Sequence, residues 1–172
     1  MVQKGAIVVR LARSDERDGI RELTLSAYAQ YATAMEPSTW KALQDAITTA
    51  LSVDLGAQQI VAEQEGALLG AVMLFPAETE AYGTLGPRVG WPEIRALAVA
   101  PRARRLGVAR LLLDECLRLA RQAGADTIGL HTSQSMREAI RLYETLGFER
   151  DPAMDIRVEG AEAVEAYRKA LR

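Results

Sequence analysis

The sequence predicts an α/β (α+β) fold, with a mixed central sheet of about six to seven strands flanked by about four helices. Short runs rich in β-branched residues alternate along the chain with longer segments whose apolar residues recur at helical spacing. The 172 residues contain no internal repeat, no low-complexity segment and no break in composition. A single domain over residues 1–172 is therefore expected.

The N-terminal part predicts one strand followed by two helices. Ala6–Ala12 is a short β-branched run, which is typical of a strand. Ser14 offers the N-cap of a first helix, whose apolar positions are Ile20, Leu23, Ala27 and Tyr31. Ser38 can cap a second helix that runs to Leu51, and Gly56 marks its stop.

Two strands and a long loop come next. Gln59–Glu63 and Ala67–Phe75 are strand-like runs, and Glu65-Gly66 between them suits a hairpin turn. Pro76–Gly90 is rich in glycine and proline, which predicts a loop. Loops beside a rigid site often contact substrate.

A strand–helix unit follows the loop. Glu93–Ala100 predicts a strand, which Pro101 ends because proline cannot continue the hydrogen-bond ladder. Gly107–Gly124 predicts an amphipathic helix. Gly124 marks its end, because glycine is common just after a helix C-terminus.

The C-terminal part predicts three more strands and one helix. Thr127–Thr132 is strand-like, and either Ser133 or Ser135 is expected to cap a helix that runs to Leu146. Closing strands are predicted at 148–150 and 164–171, with a polar loop at 151–163 between them.

Composition argues against several classes of protein. The formal net charge of −2 argues against a general nucleic-acid binder, which would carry a clear basic excess. No apolar run approaches the ~20 residues that cross a bilayer, and the charged N-terminus is unlike a signal peptide. The single cysteine, Cys116, excludes an internal disulfide framework and favours a cytoplasmic location. One histidine and one cysteine leave little for a zinc site, so no metal is expected.

The turn at residues 104–109 has the character of an anion site. It lies between a predicted strand and a helix, where free backbone N–H groups and the helix dipole favour an anion. Tyr143 places a phenol on the following helix. The segment thus predicts an enzyme that uses a phosphate-bearing cofactor. A Rossmann site is excluded because G-x-G-x-x-G is absent, and a P-loop because no Gly-Lys-Ser/Thr follows the turn.

Three ordered motifs in this segment resemble the GNAT superfamily of N-acetyltransferases. Arg104-x-x-Gly107-x-Ala109 is similar to the family's acyl-CoA-binding signature, Gln/Arg-x-x-Gly-x-Gly/Ala. The strand before it and the helix after the next strand also match, through Leu97-Ala98-Val99-Ala100-Pro101 and Ala139-x-x-Leu142-Tyr143-x-x-Leu146-Gly147-Phe148. Together the motifs cover roughly a third of the chain.

The resemblance implies acetyl-CoA as co-substrate. Backbone N–H groups of the turn and first helical residues would hold its pyrophosphate; these residues are Arg105, Leu106, Gly107, Val108, Ala109 and Arg110. The pantetheine arm would pair with Leu97, Ala98 and Val99, because family members splay this strand from the next one. Many relatives bind pantetheine with an Asn where this chain has Met136, so Ser133 or Ser135 is the candidate for that contact instead. Thr132 and Ser133 are counted among the cofactor-binding candidates.

A basic cluster surrounds the turn and would attract the CoA phosphates. It consists of Arg102, Arg104, Arg105 and Arg110. Arg104, Arg105 and Arg110 are the cofactor-binding candidates, and Arg102 is expected to be a solvated bystander.

Two residues are the catalytic candidates. Tyr143 could donate a proton to the leaving thiolate, against the alternative that it only packs. Glu93 could accept the amine proton directly or through water, against the alternative of a solvated carboxylate at a strand end. His131 has no partner at triad or metal spacing, so no catalytic role is expected for it. Cys116 falls on an apolar helix stripe and is expected in the core.

The resemblance implies that aromatic residues wall the acceptor site, because the corresponding regions do so in the superfamily. Tyr28, Tyr31 and Trp91 are the substrate-binding candidates, with Met35 and Tyr82 nearby. Few acidic residues accompany them, so the sequence does not point to a polycationic acceptor.

The favoured activity is acetyl transfer to a primary amine of a small molecule by direct attack in a ternary complex. The alternatives are a protein N-terminal or lysine acetyltransferase and a non-catalytic acyl-CoA sensor; a homodimer is expected because homodimers are frequent in the superfamily.

Overall fold

The computed structural model describes residues 5–52, 56–82, 84, 86–157, 159 and 162–172. Within them the strands are β1 (Val8–Leu11), β2 (Gln58–Gln64), β3 (Ala67–Phe75), β4 (Glu93–Val99), β5 (Thr127–Thr132), β6 (Glu149–Arg150) and β7 (Glu165–Ala170). The helices are α1 (Arg17–Tyr28), α2 (Pro37–Ser52), α3 (Val108–Gln122) and α4 (Arg137–Thr145). The strands form one mixed sheet in the order β1-β2-β3-β4-β5-β7-β6, which confirms the predicted fold class.

The sheet is covered by helices on both faces. Residues of α3 and α4 pack in one core with Val72 and Leu74 of β3. Residues of α1 and α2 pack in a second core with the alternate β3 residues Met73 and Phe75. The buried run of β3 follows from this arrangement, because successive side chains of a strand point to opposite faces.

The neighbouring strands β4 and β5 run parallel and then separate. They pair at Glu93↔Gly129 and Ile94↔Leu130. Farther along, β4 still pairs with β3, at Ala71↔Ala98 and Gly70↔Val99. An irregularity lies between these registers, where Ala96 has a φ of 52°. A bulge bends its strand, and β4 accordingly leaves β5 beyond Ile94, as the resemblance implies.

Several element boundaries differ from the sequence predictions. Ser14 begins a short 3-10 turn and α1 starts only at Arg17, while Tyr31 lies in another 3-10 turn after α1. Neither Ser133 nor Ser135 caps α4. The Ser133 hydroxyl instead accepts the backbone N–H of Ser135 at 3.2 Å, in a turn that precedes the helix.

The predicted C-terminal loop contains structure of its own. Ile156 forms an isolated antiparallel bridge with Val164, which was expected to belong to the last strand. The predictions at 53–55, 83, 85, 158 and 160–161 lie outside the described residues. No helix in the described ranges is long and apolar enough to cross a membrane.

Candidate active site

The start of α3 forms a backbone cradle that suits an anion. Arg105 and Gly107 both have left-handed backbone, with φ of 65° and 78°. Backbone N–H groups around left-handed residues converge into a concave nest. Gly107 is the N-cap, and no described side chain caps the helix there, so the N–H groups of the first turn remain available to a ligand. An added Cβ at Gly107 would meet nothing within 4 Å, so the left-handed φ is what requires glycine.

The arginines of the basic cluster differ in their partners. Arg104 donates to the carbonyl of Ala27 at 3.2 Å, and Arg102 donates to the carbonyl of Leu68 at 2.8 Å. Arg110 pairs with Asp114 at 3.2 Å on the exposed surface of α3. Arg105 is exposed and has no side-chain partner among the described residues. Its guanidinium is therefore the most available of the four to a phosphate, while Arg102 is held by a carbonyl and is not simply solvated.

The separated edge of β4 is the predicted pantetheine site. Leu97, Ala98 and Val99 lie beyond the last β4–β5 pair, so this stretch of backbone has no strand partner on the β5 side. Across the gap, Thr132 is buried and donates its hydroxyl to the Met136 sulfur at 3.6 Å. The Ser133 hydroxyl donates to Glu162 at 3.2 Å. The backbone of β4 is therefore better placed than either hydroxyl to bind a ligand in the gap.

Glu93 occupies a buried polar cluster at the paired end of β4. It is 3% exposed, so the alternative of a solvated carboxylate is wrong. The Trp91 indole N–H donates to Oε1 of Glu93 at 3.1 Å, and Nδ1 of His131 lies 3.4 Å from Oε2. The expectation that His131 lacks a partner is also wrong. The two residues are 38 apart in sequence, and only the parallel register of β4 and β5 brings them together.

The cluster can hold one proton between Glu93 and His131. Nε2 of His131 faces the Met154 carbonyl at 2.8 Å, and this ring nitrogen must therefore be the donor. Nδ1 faces a carboxylate oxygen, and a proton placed between these two atoms completes a hydrogen bond. The two side chains thus form one buried polar unit in the site.

Gly129 makes room for this cluster and was not singled out from the sequence. It is the direct β5 partner of Glu93. A Cβ at Gly129 would lie 2.5 Å from the Trp91 indole nitrogen and 2.7 Å from Oε1 of Glu93. The predicted acceptor-wall residue Trp91 thus has its N–H on Glu93, and glycine is needed opposite for steric reasons.

Phenols from α1, the turn after it and α4 lie near one another. Tyr143 of α4 is 7% exposed and makes an edge contact with Phe148 at 6.0 Å between ring centroids. Tyr28 and Tyr31 are in edge contact at 5.9 Å. Burial raises the pKa of Tyr143, and the nearby Tyr28 and Tyr31 raise that pKa further. Tyr143 is therefore neutral and carries its proton at physiological pH.

Cys116 lies in the core, as expected from its helix stripe. It is fully buried, and burial raises the pKa of its thiol to about 12. A thiol in this state is a poor nucleophile, since the thiolate is the reactive form.

A polar cavity of about 330 Å³ lies beyond Tyr31. It is lined by Thr33, Ala34, Met35, Glu36, Ser38, Thr39 and Glu162. Met35, which was expected near the acceptor, lies among the residues that line this cavity.

Comparison with known proteins assigns this chain to one family. A profile described as Acetyltransferase (GNAT) family matches residues 19–148. No curated protein sequence matches the chain. Similar solved structures include a GNAT-family acetyltransferase from Streptococcus agalactiae, with 16% identity, a TM-score of 0.71, and coverage of 98% of this chain and 97% of that one.

Two further similar structures contain the cofactor. PaiA N-acetyltransferase from Thermoplasma acidophilum, in complex with coenzyme A, has 15% identity, a TM-score of 0.69, and coverage of 96% of this chain and 99% of that one. YncA from Salmonella typhimurium, with its cofactor acetyl-CoA, has 18% identity, a TM-score of 0.65, and coverage of 98% and 95%. At these identities the likeness is one of fold.

Proposed function

The chain belongs to the acetyltransferase (GNAT) family and is an acyltransferase, and we propose that it transfers the acetyl group of acetyl-CoA to a primary amine of a small molecule. The observation that carries this proposal is the separation of β4 from β5 beyond Ile94, which leads to the backbone cradle at Gly107. The amine would attack directly while both substrates are bound. The comparison structures that contain coenzyme A or acetyl-CoA support this choice of donor.

The residues present fit an acyl-CoA. Backbone N–H groups at Arg105–Arg110 would hold the pyrophosphate, with Arg105 adding a charge, and the free edge of Leu97–Val99 would hold the pantetheine arm. The bound donor supplies an acetyl thioester, whose sulfur is the leaving group. Backbone N–H groups near Leu97–Val99 would polarise the thioester carbonyl.

Glu93, together with His131, would receive the proton of the amine. An alkyl ammonium ion must lose a proton before it can attack, since its pKa is about 10. The proton would complete the hydrogen bond between Oε2 of Glu93 and Nδ1 of His131, either directly or after passage through water. Trp91 would keep the carboxylate in place through its other oxygen.

Tyr143 would donate a hydrogen bond, and then a proton, to the leaving sulfur. Its raised pKa keeps the phenol protonated, so the donor is present at neutral pH. A thiol has a pKa of about 8.5, below that of the phenol, so complete proton transfer is uphill for Tyr143 alone. The larger contribution would therefore come from the hydrogen bond to the developing thiolate.

A small acceptor is favoured over a protein because aromatic side chains line the acceptor side. Tyr143 is buried and Tyr28 and Tyr82 are half-buried, and an aromatic lining of this kind suits a small amine. We further propose one catalytic domain over residues 1–172, a cytoplasmic location and a homodimer.

A screen of thiol release from acetyl-CoA tests the activity. The panel holds amino acids, simple amines, polyamines, aminoglycosides and peptides, and the Tyr143→Phe protein serves as a matched control. Amine-dependent thiol release with small amines, reduced in the control, is the expected result. Release only with peptides or proteins would favour the protein acetyltransferase. Retained affinity for CoA without release over the whole panel would indicate a non-catalytic sensor and overturn the proposal.

A further inference from the structure

Arg95 places a cation without a counterion beside the candidate active site. Its guanidinium lies 4.2 Å from the centroid of the Tyr82 ring and 5.9 Å from that of Phe75. One of its N–H groups donates to the carbonyl of Ala81. No carboxylate among the described residues forms an ion pair with it, although Arg95 is half-buried. Buried charges are normally paired, so the remaining N–H groups lack an anion.

Tyr82 provides a second donor without an acceptor. Its hydroxyl is buried and has no hydrogen-bond partner among the described residues. The backbone of His131 is close enough to lower the phenol pKa slightly, but it does not reach hydrogen-bond geometry. Burial raises the pKa of Tyr82 well above its ordinary value, so the hydroxyl keeps its proton and can donate. A buried hydroxyl without a partner is costly, which suggests that a ligand completes it.

Both donors lie where β4 and β5 separate. Arg95 directly follows the last β4 residue that pairs with β5, and His131, whose ring packs against Tyr82 at 4.6 Å, directly follows its β5 partner. Glu93 is not the missing anion, because its oxygens contact Trp91 and His131 and form no ion pair with Arg95. The pyrophosphate cradle follows the other end of β4, so a CoA phosphate is not the natural partner either.

We propose that Arg95 and Tyr82 bind the carboxylate of the acceptor, which makes the acceptor an amino acid or a closely related amino-carboxylate. This inference rests on the proposed acetyl transfer. The fork of N–H groups in a guanidinium matches the two oxygens of a carboxylate, and the phenol adds a third donor. Arg95 and Glu93 are two residues apart on one strand, hence about 7 Å apart along it on the same face. An amine close to a carboxylate would then reach the Glu93–His131 pair while its carboxylate stays on Arg95.

The test compares amino acids with their carboxamides as acceptors, because the amide keeps nearly the size and shape of the carboxylate but lacks its charge. Acceptor kcat/KM is measured by thiol release for the wild type, Arg95→Gln, Arg95→Lys and Tyr82→Phe. Arg88→Gln is the matched control. Arg88 is an exposed arginine of the loop that also carries Tyr82, and it donates to the Glu78 carbonyl. We expect at least one free amino acid to exceed its amide by roughly tenfold to a hundredfold in the wild type.

The variants decide whether Arg95 is the cause of that preference. Arg95→Gln should remove the preference by lowering kcat/KM for the carboxylate alone, with the KM for acetyl-CoA unchanged. Arg95→Lys should restore part of it, Tyr82→Phe should reduce it, and Arg88→Gln should leave it intact. Equal losses for acid and amide in Arg95→Gln, or a raised KM for acetyl-CoA, would overturn the inference.

Failure of the inference and failure of the proposed function remain distinct. Thiol release in the wild type without any preference for carboxylates would overturn only the inference. If no amine supports release, calorimetric binding of the same amino acids and amides to the CoA-saturated protein decides the matter. Amino-acid binding that Arg95→Gln abolishes would support the carboxylate site, and equal or absent binding of acid and amide would overturn it.

Discussion

The proposed donor end and the proposed acceptor end of the candidate active site differ in the groups that form them, which are mainly backbone groups at the first and side chains at the second. At the donor end, the backbone of residues 97–110 offers a free strand edge and the N-terminus of α3 within one continuous segment. At the acceptor end, side chains converge from separate elements: Tyr28 of α1, Tyr82 of a loop, Glu93 and Arg95 of β4, and His131 of β5. The difference teaches that a backbone site tolerates most side-chain changes, whereas a side-chain site depends on each group.

Replacement of Glu93 by glutamine should produce the largest effect, at the side-chain end. We expect kcat to fall by roughly 100-fold or more, because an amide cannot take up a proton with His131. Affinity for CoA should stay within about twofold, since the donor end is untouched. Steady-state kinetics over a pH series and calorimetry of CoA binding measure the two quantities.

The control is Glu80→Gln, which alters an exposed carboxylate of the preceding loop. An unchanged pH–rate profile in Glu93→Gln would place the base elsewhere. That result would also remove the main evidence that the acceptor end depends on individual side chains while the donor end depends on the backbone.

Replacement of Tyr143 by phenylalanine should have the next largest effect. It deletes one hydroxyl and keeps the packing against Phe148. We expect kcat to fall by roughly tenfold to a hundredfold, with stability and CoA affinity little changed. Unchanged turnover, with a melting temperature near the wild type, would mean that Tyr143 only packs.

Two glycines that flank α3 provide a test of the donor end. Gly107 and Gly124 have φ of 78° and 77°, and a Cβ at either would meet nothing within 4 Å. Alanine at each position should cost about 1 kcal/mol of unfolding free energy, because both must keep a left-handed backbone. Only Gly107→Ala should also weaken CoA binding, by about tenfold. Equal CoA affinity in both variants, measured by calorimetry, would argue against the cradle.

Glu16 lies outside both ends and should affect only stability. Its hydrogen bonds to the Arg10 guanidinium and the Arg13 backbone N–H lower its pKa from 4.5 to about 2. A depressed carboxyl pKa stabilises the fold fully above pH 4.5, and the stabilisation is lost as the pH falls towards 2. Glu16→Gln should therefore cost about 1 kcal/mol at neutral pH, a difference that shrinks in acid, with kcat unchanged.

Denaturant unfolding of wild type and Glu16→Gln at a series of pH values measures this difference. A gap between the two proteins that stays constant down to pH 2 would contradict the assignment of the ion pair.

Sequence reasoning succeeded where local chain geometry was enough. Hydrophobic periodicity predicted the strands of the sheet and the helices that cover it. The turn before Gly107 was correctly expected at a helix start. It failed at the start of α4, because the Ser133 hydroxyl accepts the backbone N–H of Ser135 in the preceding turn, and such local bonds compete with helix capping. It also failed for His131, whose partner is decided by strand register rather than by spacing along the chain.

The sequence by itself therefore determined the fold class and the turn at the start of α3, where the donor end is proposed. Both depend on interactions between residues near in sequence, namely apolar periodicity, a left-handed glycine and free N–H groups at a helix start. Only the tertiary structure decided the acceptor end. There the parallel pairing of β4 with β5 sets Glu93 beside His131 and opposite Gly129, and the loop between β3 and β4 folds Tyr82 onto Arg95. Contacts of this kind follow from how strands pair and loops pack, which no local pattern encodes.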